Sequence, residues 1–186
     1  MILAAGESSR MGRDKALLPY AGVTFLERLV RLFLVRVSPV VVVVGHHAAE
    51  IRGPVEARPG LLWVENPDYR SGQLSSMQAG LRALPAQAPA ALLTLVDHPA
   101  VADSTLDAIL ARSGAPLVIP RYAGRRGHPV LLSRVVIEEI LALPPEATAK
   151  QVVRGHVGDV VLVEVDDPGV VRDVDTPEDY LALTGG

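Results

Sequence analysis

Met1-Ile2-Leu3-Ala4-Ala5-Gly6-Glu7-Ser8-Ser9-Arg10-Met11-Gly12-Arg13-Asp14-Lys15 opens the chain. Its first five residues read as a strand, short because the chain begins inside it, and Gly6 turns the backbone out of it. Small residues at Ala4, Ala5 and Gly6 let a flat ligand come close to the backbone. Arg10 and Lys15 add one forked and one compact cation within the same loop. Backbone N–H groups at a turn together with two such charges suit a triphosphate. The spacing is not that of a Walker A loop, since five residues separate Gly6 from Gly12 and no Gly-Lys-Ser/Thr follows. It is not the dinucleotide fingerprint either. A solvated strand-to-helix turn is the plainer alternative.

Beyond this loop, short β-branched runs alternate with longer amphipathic stretches. Thr24 to about Arg36 has helical spacing, with Thr24 as N-cap and Glu27 three residues on. Val40–Val44 reads as a buried strand stopped by Gly45, and Leu61–Glu65 as another, followed by the turn Asn66-Pro67-Asp68. Helices are expected over Gln73–Leu84, Asp103–Arg112, Val135–Leu143 and Thr176–Leu183. Strands are expected over Ala90–Val96, Pro116–Pro120, Pro129–Leu132 and Val160–Val165. Such alternation, with strands apolar on both faces, predicts an α/β sandwich around a mainly parallel sheet. At 186 residues, with no internal repeat and no linker, one domain over residues 1–186 is expected.

Composition removes several classes of function. Zero cysteines exclude disulfides, cysteine-ligated zinc, iron–sulfur clusters and thiol catalysis. A net charge of −3 and seven aromatic residues argue against a nucleic-acid partner. No apolar run approaches a membrane span and no signal peptide is visible, so a soluble cytoplasmic protein is expected. Mean hydropathy of +0.29 supplies a real core. Sixteen of the 18 basic residues are arginine, which makes the two lysines, Lys15 and Lys150, candidates for a role wanting a compact charge. No Gly-x-Ser-x-Gly elbow supports a hydrolase triad. None of the five histidines has zinc-site spacing, and His46-His47 reads as structural or solvent-facing.

Four further strings carry candidate chemistry. In Ser71-Gly72-Gln73-Leu74-Ser75-Ser76-Met77-Gln78-Ala79-Gly80-Leu81, Ser71 or Ser75 could serve simply as a helix N-cap. Asp97 emerges from an apolar strand ahead of His98-Pro99 and needs a partner to offset desolvation: a cation, a helix N-terminus or an arginine. In Val170-Val171-Arg172-Asp173-Val174-Asp175-Thr176-Pro177-Glu178-Asp179-Tyr180, an ordinary helix start accounts for Thr176 to Asp179 but not for Asp173 and Asp175. Arg125-Arg126-Gly127-His128-Pro129 is a basic turn, a solvated hairpin in its plainest reading.

Taken together and in this order, these strings resemble the MobA-like nucleotidyltransferases, which implies a Rossmann-like three-layer sandwich, and within them the molybdenum cofactor cytidylyltransferase branch. Relatives that use GTP carry second glycines where Ala5 and Arg13 stand here, which favours CTP. The resemblance implies that Arg10 and Lys15 act on the triphosphate as pyrophosphate leaves. It implies that Leu3, Ala4, Ala5, Gly6, Gly72, Gln73, Ser76 and Asp97 line the nucleotide site. It further implies Mg²⁺ held by Asp97 and by Asp175, with Asp173 as the fallback; His98 stands where the branch has Gln. Arg125, Arg126 and His128 then face a phosphorylated acceptor such as molybdopterin, and a client molybdoenzyme is a further partner to consider. Guanylyl transfer to the same acceptor, nucleotidyl transfer to a sugar 1-phosphate, and a non-catalytic cofactor carrier remain alternatives, because acceptor loops vary on a shared nucleotide-binding frame.

Overall fold

The computed structural model describes residues 1–185. Ten strands and seven α-helices follow in the order β1 (Ile2–Ala4), β2 (Pro19–Tyr20), β3 (Val23–Thr24), α1 (Phe25–Leu34), β4 (Val40–Val44), α2 (Ala48–Arg52), β5 (Leu61–Glu65) and α3 (Gln73–Arg82). The order continues with β6 (Ala90–Leu95), α4 (Asp103–Leu110), β7 (Leu117–Tyr122), β8 (Arg125–Arg126), β9 (Val130–Ser133), α5 (Arg134–Ala142), α6 (Ala149–Gly155), β10 (Val160–Glu164) and α7 (Pro177–Thr184). An eight-stranded sheet runs β10-β7-β9-β6-β1-β4-β5, with β8 paired to β7. β9 is antiparallel to both β6 and β7, while β6, β1, β4 and β5 are mutually parallel. The expected α/β class with a mainly parallel sheet is what forms.

The apolar-on-both-faces reading of Val40–Val44 explains the layers. Val40, Val42 and Val44 face one core with Leu26, Phe33 and Leu106. Val41 and Val43 face the other with Met77, Leu81 and Ile137. All five valines are fully buried. A smaller third cluster joins Met11 and Leu18 of the first loop to Phe25 and Val174, so the loop after β1 and the C-terminal segment share a core.

Capping behaves as local chemistry dictates, with two refinements. The Thr24 hydroxyl accepts from the Glu27 amide at 3.1 Å. The Glu27 carboxylate, however, does not return to the cap; it binds Arg31 and Arg58. At α3 the N-cap is Gly72 with no side-chain cap, so neither Ser71 nor Ser75 takes that role. α7 carries a full capping box between Thr176 and Asp179, with Pro177 at its first position. Four elements were not expected from periodicity: the β2–β3 hairpin about Ala21-Gly22, α2, β8 and α6. Each is seven residues or fewer per segment, too short to show a period. Among the described residues no helix is long and apolar enough to cross a membrane.

Candidate active site

Parallel sheets bind ligands beyond the carboxyl ends of their strands, where strand order reverses. Here β1 sits between β4 and β6: the chain steps from β1 to β4 and β5 on one side and returns to β6 on the other. Loops after β1 and β6 therefore diverge, and a cleft of about 240 Å³ opens between them. Leu3, Ala4, Ala5, Gly6, Lys15, Gly72, Gln73, Ser76 and Asp97 all line it. Arg10 does not; its side chain, 69% exposed, stands at the rim. Ser8, Asp14 and Tyr69 also line the cleft; the first two stand in the opening string, but none of the three was given a role from the sequence.

The first loop is held by its own backbone. Ser8 adopts φ 51°, and its carbonyl accepts from the amides of Met11 and Gly12. The Ser8 hydroxyl accepts from the Lys15 amide at 3.1 Å, closing the loop around the base of the lysine. At the far wall Gly72 has φ 108°, a conformation costly for any side chain, so the chain turns sharply into α3.

Charge concentrates where these segments meet the C-terminus. The Lys15 ammonium binds Asp175 and lies 3.4 Å from Asp97. Arg10 binds the other oxygen of Asp175 at 2.6 Å. Burial works against ionisation of Asp97, but the His98 imidazole, 2.9 Å away, and the Lys15 ammonium outweigh it. The carboxyl is held below the usual range. The partner that offsets Asp97's desolvation is thus a lysine with a histidine, and His98, buried against it, is a site residue that the motif match left without a role.

Asp175 comes from 160 residues beyond Lys15, and a strap of backbone contacts delivers it. The buried Asp167 carboxylate accepts from Ala102 N, Thr105 Oγ1 and Gly169 N, fastening the segment to the start of α4. His128 N donates to the Val170 carbonyl, and Val174 N donates to the Asp97 carbonyl at 3.0 Å. With Val174 locked into the core beside Met11, Asp175 meets Lys15 whereas Asp173 stays exposed and outside the ion-pair chain. The two acids do not share one role.

The basic turn divides in two. Arg125 and Arg126 form the exposed β8 and make no ion pair among the described residues. His128 turns inward, its ring 5.0 Å from that of His98 and its Nδ1 buried without a partner. Burial, helped by the neighbouring His98, pushes its pKa down to about 4. His46 and His47 stack at 3.7 Å and bind Tyr69 and Asp14 respectively, a polar brace between loops.

The donor set suits a hard cation. Two carboxylates from separate segments already converge on one ammonium, and Mg²⁺ needs only one or two carboxylates once substrate phosphates and waters complete its octahedron. Among the described residues no cluster of three or more His, Cys, Asp or Glu forms a ready-made metal cage.

Comparison with known proteins gives a consistent family. A model of the MobA-like NTP transferase domain matches residues 1–160. The molybdenum cofactor cytidylyltransferase of Escherichia coli (strain K12) is 29% identical over 97% of this chain and 92% of its own length. The nicotine blue oxidoreductase of Paenarthrobacter nicotinovorans is 32% identical over 98% and 94%. Among solved structures, a nucleotidyl transferase from Methanothermobacter thermautotroptrophicus superposes with a TM-score of 0.84 at 25% identity, over 99% of this chain and 94% of that one.

Proposed function

The chain belongs to the MobA-like NTP transferase family, and on that premise we propose that residues 1–186 act as one domain that moves CMP from CTP onto the terminal phosphate of molybdopterin, releasing pyrophosphate. The observation that carries the reading is the convergence of Lys15, Asp97 and Asp175 at the mouth of a cleft walled by the first loop and the start of α3. The E. coli relative supports the choice of acceptor and base.

In this reading the acceptor phosphate oxygen attacks the α-phosphorus in line, a new P–O bond forms, and the α–β bridging bond breaks with its electron pair leaving on pyrophosphate. The phosphate nucleophile is already ionised near neutral pH, so positioning and charge stabilisation suffice without a general base. Arg10 and Lys15 neutralise the departing charge. Ala4, Ala5 and Gly6 bring the backbone against the nucleotide, and Gly72, Gln73 and Ser76 contact its base or ribose. Asp97 and Asp175 would hold Mg²⁺, which when bound supplies charge neutralisation and alignment of the phosphates. His98 keeps Asp97 ionised and oriented. Arg125 and Arg126 offer the acceptor phosphate two guanidiniums with no ion-pair partner among the described residues; His128, turned inward, packs against His98 beside Asp97.

Pyrophosphate release is the test, with purified protein, Mg²⁺ and molybdenum-loaded molybdopterin, offering CTP, GTP, ATP and UTP separately. Release with CTP alone is expected. Preference for GTP would keep the chemistry and overturn the base. Binding of Mg-NTP without release from any nucleotide would transfer the assignment to another phosphorylated acceptor or to a carrier.

A further inference from the structure

Asn66 directly follows β5, is 5% exposed, and had no place in the sequence motifs beyond a turn. Its side-chain orientation is determined by a partner that can only donate: the Asp68 amide gives its hydrogen to Asn66 Oδ1 at 3.1 Å. Nδ2 must therefore face the other way, and it donates to both Ser75 Oγ and Ser76 Oγ at 2.9 Å. Each serine oxygen then uses one lone pair to accept from Nδ2, and its own proton must point away from Asn66. Ser75 has acceptors for that proton in the carbonyls of Asp68 and Gly72. Ser76, 4% exposed and lining the cleft, has none among the described residues.

We propose that Asn66 is a positioning residue that fixes Ser76 as a hydrogen-bond donor into the cleft, so that Ser76 reads an acceptor atom of the nucleobase, either a pyrimidine carbonyl oxygen or its ring nitrogen. The proposal rests on the cleft being the nucleotide site. Its physical basis is an asymmetry. A buried hydroxyl whose proton already has an internal acceptor discriminates poorly, whereas Ser76, which accepts from Asn66 Nδ2 and has no acceptor for its own proton among the described residues, favours a ligand acceptor: a ligand donor could take its second lone pair only by leaving that proton buried and unpaired. The Asp68–Asn66–Ser76 relay thus converts a backbone turn into base selectivity.

The relay makes a reversal possible. In Asn66→Asp both carboxylate oxygens accept, the Asp68 amide and the two hydroxyls still find partners, and the Ser76 proton turns inward, leaving lone pairs toward the cleft. Dissociation constants would be measured by calorimetry for the Mg²⁺ complexes of CTP, 2-thio-CTP, 3-deaza-CTP and 2′-deoxy-CTP on the wild type, Asn66→Asp and Ser76→Ala. In the wild type one of the two base analogues is expected to bind at least tenfold more weakly than CTP. In both variants that gap should close to within about twofold, with KM for CTP moving more than kcat. The new charge in Asn66→Asp acts on all four ligands alike, so the ratio and not the absolute affinity is the readout. A gap that persists in both variants, or closes for 2′-deoxy-CTP instead, overturns the proposal. Equal wild-type affinity for CTP and both base analogues overturns it without any variant. Wild type that binds no Mg-NTP overturns the nucleotide reading beneath it.

Discussion

The cleft wall proposed to hold the nucleotide (the nucleotide bank) and the basic turn proposed to meet the acceptor (the acceptor bank), which lies outside the residues lining that cleft, are built differently. On the nucleotide bank, parallel strand ends and the start of α3 hold Ala4, Gly72, Ser76 and Lys15 through backbone turns and buried side-chain bonds. On the acceptor bank, Arg125 and Arg126 lie on a two-residue edge strand, exposed and unpaired among the described residues. Strand ends anchored in a buried parallel sheet impose positions to within a fraction of a side chain. A short exposed hairpin imposes only a neighbourhood. In the proposed reading one bank is thereby preorganised for the nucleotide, and the other leaves room for different acceptors.

That contrast can be broken at its strongest point first. Asp97→Ala removes a carboxylate that His98 and Lys15 hold ionised; Mg-dependent nucleotide binding should vanish in calorimetry and kcat/KM fall by more than about 100-fold, roughly 2.7 kcal/mol. Lys15→Ala should lower kcat/KM by more than about tenfold; survival of activity would remove this lysine from the chemistry. Gly127→Ala tests the strap. A Cβ there collides with the Val170 carbonyl, and overpacking of this kind costs about 1–3 kcal/mol. A lower Tm should be accompanied by a lower kcat, since Val170 and Asp175 share the segment. On the acceptor bank, replacing Arg125 and Arg126 together by Ala should raise KM for the acceptor severalfold and leave the dissociation constant for Mg-NTP within about twofold. Equal effects on both ligands would erase the distinction between the banks.

The smallest expected effect concerns His128, packed against His98. His128 has a folded pKa near 4 against an ordinary 6.5, so it stays neutral in the native protein while the unfolded chain takes up a proton. The unfolded state binds more protons across that interval, so stability should fall as pH drops from about 6.5 to about 4 and no further from this group below it. Thermal melts of wild type and His128→Gln should diverge by a few degrees across that window, with the variant showing the flatter profile.

Much of this was legible in the chain. Period and turn chemistry located the main strands and helices, because Val40–Val44 or Leu61–Glu65 carry their environment in their own side chains. The short elements β2, β3, α2, β8 and α6 were missed because two to seven residues cannot express a period. Nine of the ten residues expected around the nucleotide do line one cleft, since the ends of adjacent parallel strands must open together; Arg10 stands at its rim.

Tertiary structure alone decided how the charges pair. Which of two acids spaced two apart would meet Lys15 depended on Val174 entering the core beside Met11 and donating to the Asp97 carbonyl. That Asp97 leans on His98, that His128 turns inward away from Arg125, and that Asn66 directs Ser76 likewise depend on partners from separate turns and strands. Local sequence sets the backbone's conformational preferences over a few residues. The direction of a buried proton or the partner of a buried charge is settled by whichever groups folding leaves within about 3 Å, and those groups can be 160 residues apart.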